Sequence, residues 1–104
     1  MMVTFNDDTF QESIREKGLT LVDFGAVWCP PCKTLKPILE ELGEEQGEKL
    51  AVIEVDCDES PETASRFGVM SMPTVLLFHN GEPVEKLIGL RPKSAYENLL
   101  AKYV

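Results

Sequence analysis

Apolar positions along the chain follow two alternating periods. Residues 19–26 form an apolar run broken only by Thr20, Asp23 and Gly25, and a short run of this kind predicts a buried strand. From residue 32 to about residue 46, Leu35, Ile38, Leu39 and Leu42 recur at i, i+3, i+4 and i+7. That spacing lays them on one helical face, and Pro37 inside it removes a backbone donor, which predicts a kink. Residues 50–57 read as a second strand. Asp58-Glu59-Ser60-Pro61 then predicts a helix start, with a capping side chain ahead of a proline in the first turn. Ala64 and Phe67 face inward on that short helix, and Gly68 ends it. Residues 74–79, Asn80-Gly81 and residues 84–89 predict a β-hairpin, because Asn-Gly suits a type I′ turn. Pro92 opens a last helix carrying Tyr96, Leu99, Leu100 and Tyr103 on one face. Near the start, Thr9 or a preceding aspartate is placed to cap a short helix presenting Phe10 and Ile14, with Gly18 as its stop.

With a short N-terminal strand in front, the order is β, α, β, α, β, α, β, β, α. Strands separated by helices are expected to be parallel, and the hairpin to be antiparallel. The expected architecture is α/β, with helices on both faces of a mixed five-stranded sheet. A chain of 104 residues without repeats or linkers is one domain's worth, covering residues 1–104. Ten basic against eighteen acidic side chains give a net charge of −8, which argues against nucleic acid or an anionic membrane as partner. No apolar stretch approaches the roughly 18 residues of a membrane span. Residues 1–8 carry neither the basic nor the apolar region of an export signal. Three cysteines are too few, and odd in number, for a disulfide-stapled secreted scaffold. A cytoplasmic monomer is expected.

Trp28-Cys29-Pro30-Pro31-Cys32 falls between a buried strand and an amphipathic helix. Cysteines at i and i+3 in a first helical turn stand on one side, close enough for a disulfide. The helix dipole there favours thiolate over thiol. Cys29, at the open end, is expected to be the exposed nucleophile, and Cys32 the more buried partner. Such a pair exchanges two electrons by thiol–disulfide exchange. The competing reading is half a zinc site, but zinc needs about four ligands, and only Cys57 and His79 remain as soft candidates. Prolines at both intervening positions also remove amide donors to metal-bound thiolates.

Asp23 is the sole charge in its strand. If buried, its carboxylate is desolvated and its pKa is raised toward a range useful for proton transfer; the alternative is a strand-end position facing solvent. Met72-Pro73 is an X–Pro bond, of which only about 5–6% are cis in folded proteins, so the residues alone favour trans. Trp28 is either a core aromatic or a platform beside Cys29. Gly81 and Gly89 read as turn or bulge glycines, Cys57 as a small buried hydrophobe, and His79 as a solvent-facing hairpin residue. Glu40, Glu41, Glu44, Glu45 and Glu48 read as a solvated helix face.

Residues 22–33, Val-Asp-Phe-Gly-Ala-Val-Trp-Cys-Pro-Pro-Cys-Lys, resemble the active-site segment of the thioredoxin family, and Ser71-Met72-Pro73-Thr74 and Asn80-Gly81 resemble its later landmarks. The similarity runs over nearly the whole chain without insertion, and the family's motif is itself the standard example of an acidified Cys-x-x-Cys thiol. The resemblance implies the thioredoxin fold and a protein-disulfide reductase. In that scheme Cys29 attacks a substrate disulfide, and Cys32 resolves the mixed disulfide while Asp23 accepts its proton through water. A flavoenzyme, thioredoxin reductase, recycles the pair, and no bound cofactor is needed. The resemblance further implies a cis Pro73 beside the cysteines, β-augmentation of substrate on the Met72 backbone, Trp28 as a platform, and Gly89 on the docking surface. Alternative readings are a disulfide oxidant or isomerase, or a binding subunit whose redox activity is incidental.

The chain departs from the family pattern in three places. Most members have Gly-Pro between the cysteines where Pro30-Pro31 stands, and the intervening residues tune the redox potential. Cys-Pro-Pro-Cys also occurs in dedicated reductants of peroxidases among the relatives. Gly25 stands where many bacterial members have an aromatic residue, leaving room near the active-site strand. Glu54 stands where many have lysine, while other members place Glu there and Lys before the kink proline, as in Lys36-Pro37. That pattern implies a Glu54–Lys36 pair beneath the site.

Overall fold

Alternation of apolar side chains on two faces makes the sheet the centre of the molecule. A computed structural model describes residues 3–5, 7 and 10–103; the proposed caps Thr9 and Asp8 lie outside the described residues. The strands are β1 (Val3–Phe5), β2 (Leu19–Gly25), β3 (Leu50–Asp56), β4 (Thr74–His79) and β5 (Glu82–Ile88). The helices are α1 (Phe10–Ser13), α2 (Pro30–Gln46), α3 (Pro61–Arg66) and α4 (Lys93–Leu100). Four full-length strands run β3-β2-β4-β5, and the three-residue β1 joins the β3 edge.

β2 is parallel to β3 and antiparallel to β4, and β4 and β5 form an antiparallel hairpin. The orientation of β4 corrects the expectation that helix-linked strands all run parallel. The connection between β3 and β4 runs over residues 57–73, and its helix, α3, has six residues and rises only about 9 Å. β3 leaves the sheet at Asp56 beside Gly25, and β4 enters at Thr74 beside Phe24, so the chain returns at the end where it left and β4 runs antiparallel.

Each sheet face has its own core. Leu19, Leu21, Val52, Val75 and Leu77 pack against Leu35, Leu39 and Leu42 of α2 and Tyr96, Leu99 and Leu100 of α4. On the other face, Val22, Phe24, Ile53, Val55, Leu76 and Phe78 pack against Phe10, Ile14 and Ala64. The Phe67 ring stacks there on Phe10 and Phe78, with centroids 5.5 Å away in each case. Helices therefore cover both faces. α2 comes close to β3 at Gly43, where a Cβ would meet Val52 Cγ2 at 3.1 Å. Pro37 lies within α2, which continues to Gln46.

Several local expectations change in the folded chain. α1 ends at Ser13, ahead of Gly18. Gly18 instead joins the hairpin tip: its N–H donates to Asn80 Oδ1 at 2.8 Å, and its carbonyl accepts from Asn80 N–H at 2.9 Å. Asn80 and Gly81 have φ of 53° and 86°, the positive pair a type I′ turn requires. Ser60 makes no capping side-chain hydrogen bond to α3. Asp7 takes that place from across the fold, with Oδ1 accepting from Thr63 N–H at 2.8 Å. His79 is partly buried and stacks on the Tyr103 ring at 5.2 Å. Glu41 and Glu45 both engage Lys93 and tie α2 to α4, so that part of the acidic face is an inter-helix clamp.

Candidate active site

The end of β2 and the start of α2 carry the cysteine pair. Cys29 is the residue capping α2, in extended conformation, and Pro30 and Pro31 fill the first two helical positions. Neither proline has an N–H, and Lys33 N–H is taken by the Cys29 carbonyl at 3.2 Å. The Cys32 N–H is therefore the first main-chain donor of the helix. Cys29 and Cys32 are disulfide-bonded, with Cα atoms 5.3 Å apart. Their relative exposures are 4% and 7%, so the expected contrast of exposed Cys29 and buried Cys32 does not hold in this disulfide form. The bond turns the Cys29 sulfur inward onto its partner, and Ala26 and Met72 pack against both.

Asp23 is 2% exposed, which removes the solvent-facing alternative. Among the described residues, no donor reaches its Oδ1. Burial, reinforced by the Glu54 carboxylate and opposed by the Lys36 ammonium, pushes its pKa up to about 7. Lys36 Nζ stands 4.0 Å from Glu54 Oε2, the pairing suggested by Lys36-Pro37. Asp23, Gly25, Cys32, Lys36, Glu54 and Val55 line a cavity of about 190 Å³ behind the disulfide.

Trp28 is 60% exposed and is not a core aromatic. Its indole Nε1–H donates to Asp58 Oδ2 at 2.6 Å, an anchor thirty residues away that the sequence did not flag. The Met72–Pro73 peptide is cis, as the resemblance implied. Pro73 O accepts from Gly89 N–H at 2.8 Å, and Gly89 has φ of 86°, so Gly89 is held against Pro73. Val27, Met70, Ile88 and Leu90 are exposed apolar side chains on the neighbouring loops and strand. Cys57 is half-buried, donating its N–H to Gly25 O at 2.8 Å. Burial and the surrounding Asp56, Asp58 and Asp23 push its thiol up to about 11, so it carries little thiolate at neutral pH.

The family model described as Thioredoxin matches residues 1–102. The chain belongs to the thioredoxin family. The thioredoxin of Listeria monocytogenes is 48% identical over 104 residues, all of both chains. Those of Alicyclobacillus acidocaldarius and Bacillus subtilis are 46% identical over 99 residues (95% of this chain, 94% of the relative) and 45% identical over 103 residues (99% and 98%). Thioredoxin-family membership together with the close Cys29–Cys32 pair makes this chain a thiol–disulfide oxidoreductase acting on protein disulfides. No helix among the described residues is long and apolar enough to cross a membrane.

Proposed function

We propose that this single-domain chain is a cytoplasmic protein-disulfide reductase, recycled by thioredoxin reductase and needing no bound cofactor. The observation that carries the reading is a Cys29–Cys32 disulfide at the N-terminal end of α2, with a desolvated Asp23 behind it. Reduced Cys29 attacks a substrate disulfide, forming one S–S bond and releasing one substrate thiolate. Cys32 then gives its proton toward Asp23 and attacks the Cys29 sulfur. The Cys29–substrate bond breaks, the 29–32 disulfide forms, and the second substrate sulfur leaves reduced. A pKa near 7 matches Asp23 to this task, because a base poised at the working pH accepts and returns a proton with equal ease. Trp28 shields one side of Cys29, and an extended substrate segment pairs with the Met72 backbone beside Pro73 and Gly89.

Pro30 and Pro31 tune the pair by withholding main-chain donors from the Cys29 thiolate. Titration in dithiol buffers, followed by Trp28 fluorescence and thiol count by mass, tests the direction of electron flow. A potential below the cytosolic glutathione poise of about −220 to −260 mV is expected of a reductase. A value near or above it makes the chain an oxidant or isomerase.

A further inference from the structure

Charge is distributed unevenly around the cysteine pair. The two segments that meet at Pro73 and Gly89, residues 66–73 and 86–93, hold four of the chain's ten basic residues and none of its eighteen acidic ones. Lys93 among them is committed to Glu41 and Glu45. Arg66, Lys86 and Arg91 are exposed, and among the described residues no carboxylate pairs with them. Each is nevertheless held in place. Arg91 Nε–H donates to Ile88 O at 3.1 Å, and among the described residues its two terminal nitrogens stay open to a planar carboxylate. Lys86 Nζ donates to Gly68 O at 3.5 Å, and the Arg66 guanidinium lies over the Phe67 ring, 5.2 Å from its centroid. Lys86 and Ile88 share one face of the edge strand β5, and Arg91 follows Leu90. The two cations therefore bracket the exposed apolar side chains Ile88 and Leu90, and Met70, 95% exposed, stands on the loop that Lys86 reaches.

We infer that Arg91 and Lys86, with Arg66 behind them, are specificity-determining residues that favour protein disulfides whose cysteine is flanked by acidic residues. The inference rests on the proposed docking of substrate beside Met72, Pro73 and Gly89. A segment laid there passes Ile88 and Leu90 between cations on either side. The net charge of −8 repels acidic partners as a whole, but exposed charges are screened beyond about 10 Å. The local sign at the docking face therefore decides which segment is accepted. Unpaired cations also penalise a basic segment by like-charge contact. Arg91 discriminates more strongly, since its fork meets a carboxylate with two hydrogen bonds where Lys86 is a point charge.

Two peptide disulfides that differ only in glutamate or lysine on both sides of the cysteine provide the test. Their second-order rates of reduction are read from Trp28 fluorescence. Each is divided by the rate with free dithiothreitol, which removes the intrinsic difference between the two disulfides. In ~20 mM salt the glutamate peptide is expected to react about tenfold faster, and in ~0.5 M salt less than about twofold faster. Arg91→Gln is expected to lower the low-salt ratio about threefold, Lys86→Gln about twofold, and Arg91→Glu to invert it. Lys49→Gln, an equal loss of charge just before β3 at the opposite end of the sheet, is expected to leave the ratio unchanged. A parent ratio near one, or a ratio kept in Arg91→Gln, overturns the inference. So does an equal slowing of both peptides by the Arg91 variants, which marks a distorted loop, or a fall in Lys49→Gln matching that in Arg91→Gln, which marks net charge alone. Amide shifts in the mixed disulfide of Cys32→Ser with the glutamate peptide separate the two ideas. Peptide-induced shifts at Met72 and Gly89 without a charge preference sink only the acidic specificity; no shifts there sink the docking reading as well.

Discussion

Asp23 is a buried carboxyl held at the expense of stability, and the size of that expense follows from its surroundings. Its pKa rises from 3.8 to about 7 on folding, chiefly through desolvation. Between those values the unfolded chain is ionised at this residue and the folded chain is protonated. The folded state therefore binds more protons, and the free energy of unfolding falls as pH rises. Below about pH 4 both states are protonated and the penalty vanishes; above about pH 7 it is complete. At about 1.4 kcal/mol per pH unit, the shift amounts to about 4 kcal/mol, an upper bound because a charged carboxylate draws in water and relaxes its site. Asp23→Asn keeps the shape and removes the titration. Urea unfolding of the oxidised protein and of this variant from pH 4 to pH 8 measures the difference. The variant is expected to gain on the parent progressively through this window, by about 2–4 kcal/mol, and to show no further gain above pH 8. A stability gap that stays constant with pH refutes the reasoning, since only a group titrating differently in the two states produces a pH-dependent gap.

Pro30→Gly restores an N–H at the first position of α2, next to Cys29, and adds to the positive end of the helix beside its sulfur. The Cys29 pKa, followed by thiolate absorbance, is expected to fall by about one unit, and the potential to become less reducing by about 30 mV per 1.4 kcal/mol of thiolate stabilisation. Asp58→Ala removes the acceptor of the Trp28 indole, an exposed hydrogen bond worth about 1 kcal/mol; KM for a protein disulfide is expected to rise about fivefold with the 29–32 potential unchanged. Asp7→Asn weakens the acceptor at the start of α3. Asp7 is held below its ordinary pKa by its bonds to Thr63 and Glu62, so its contribution is present above about pH 4 and is lost as pH falls through the depressed value. The melting temperature of Asp7→Asn is expected to fall below the parent's at neutral pH and to converge with it in acid.

Local pattern was sufficient for the elements and for the redox pair. The i, i+3, i+4, i+7 spacing of Leu35, Ile38, Leu39 and Leu42 marked α2, and Asn80-Gly81 marked the hairpin, because both signals are written in neighbouring residues. The cysteine pair was equally legible, since three residues of separation at a helix start is itself the geometry of a disulfide. Antiparallel β4 was not legible, because it depends on the end of the sheet at which residues 57–73 return the chain. Nor was the Asp7 cap on α3 or the Asp58 anchor of Trp28, which join residues 56 and 30 positions apart. A side-chain partner at that distance in sequence leaves no periodic trace. Asp23 divides the two kinds of information. Its chemistry as a lone carboxylate in an apolar strand could be read from the chain, but whether it was buried, and with what beside it, depended on packing. Desolvation and Coulomb interaction act through space, and only the tertiary structure brings Glu54, Lys36 and the Gly25 cavity to that carboxyl.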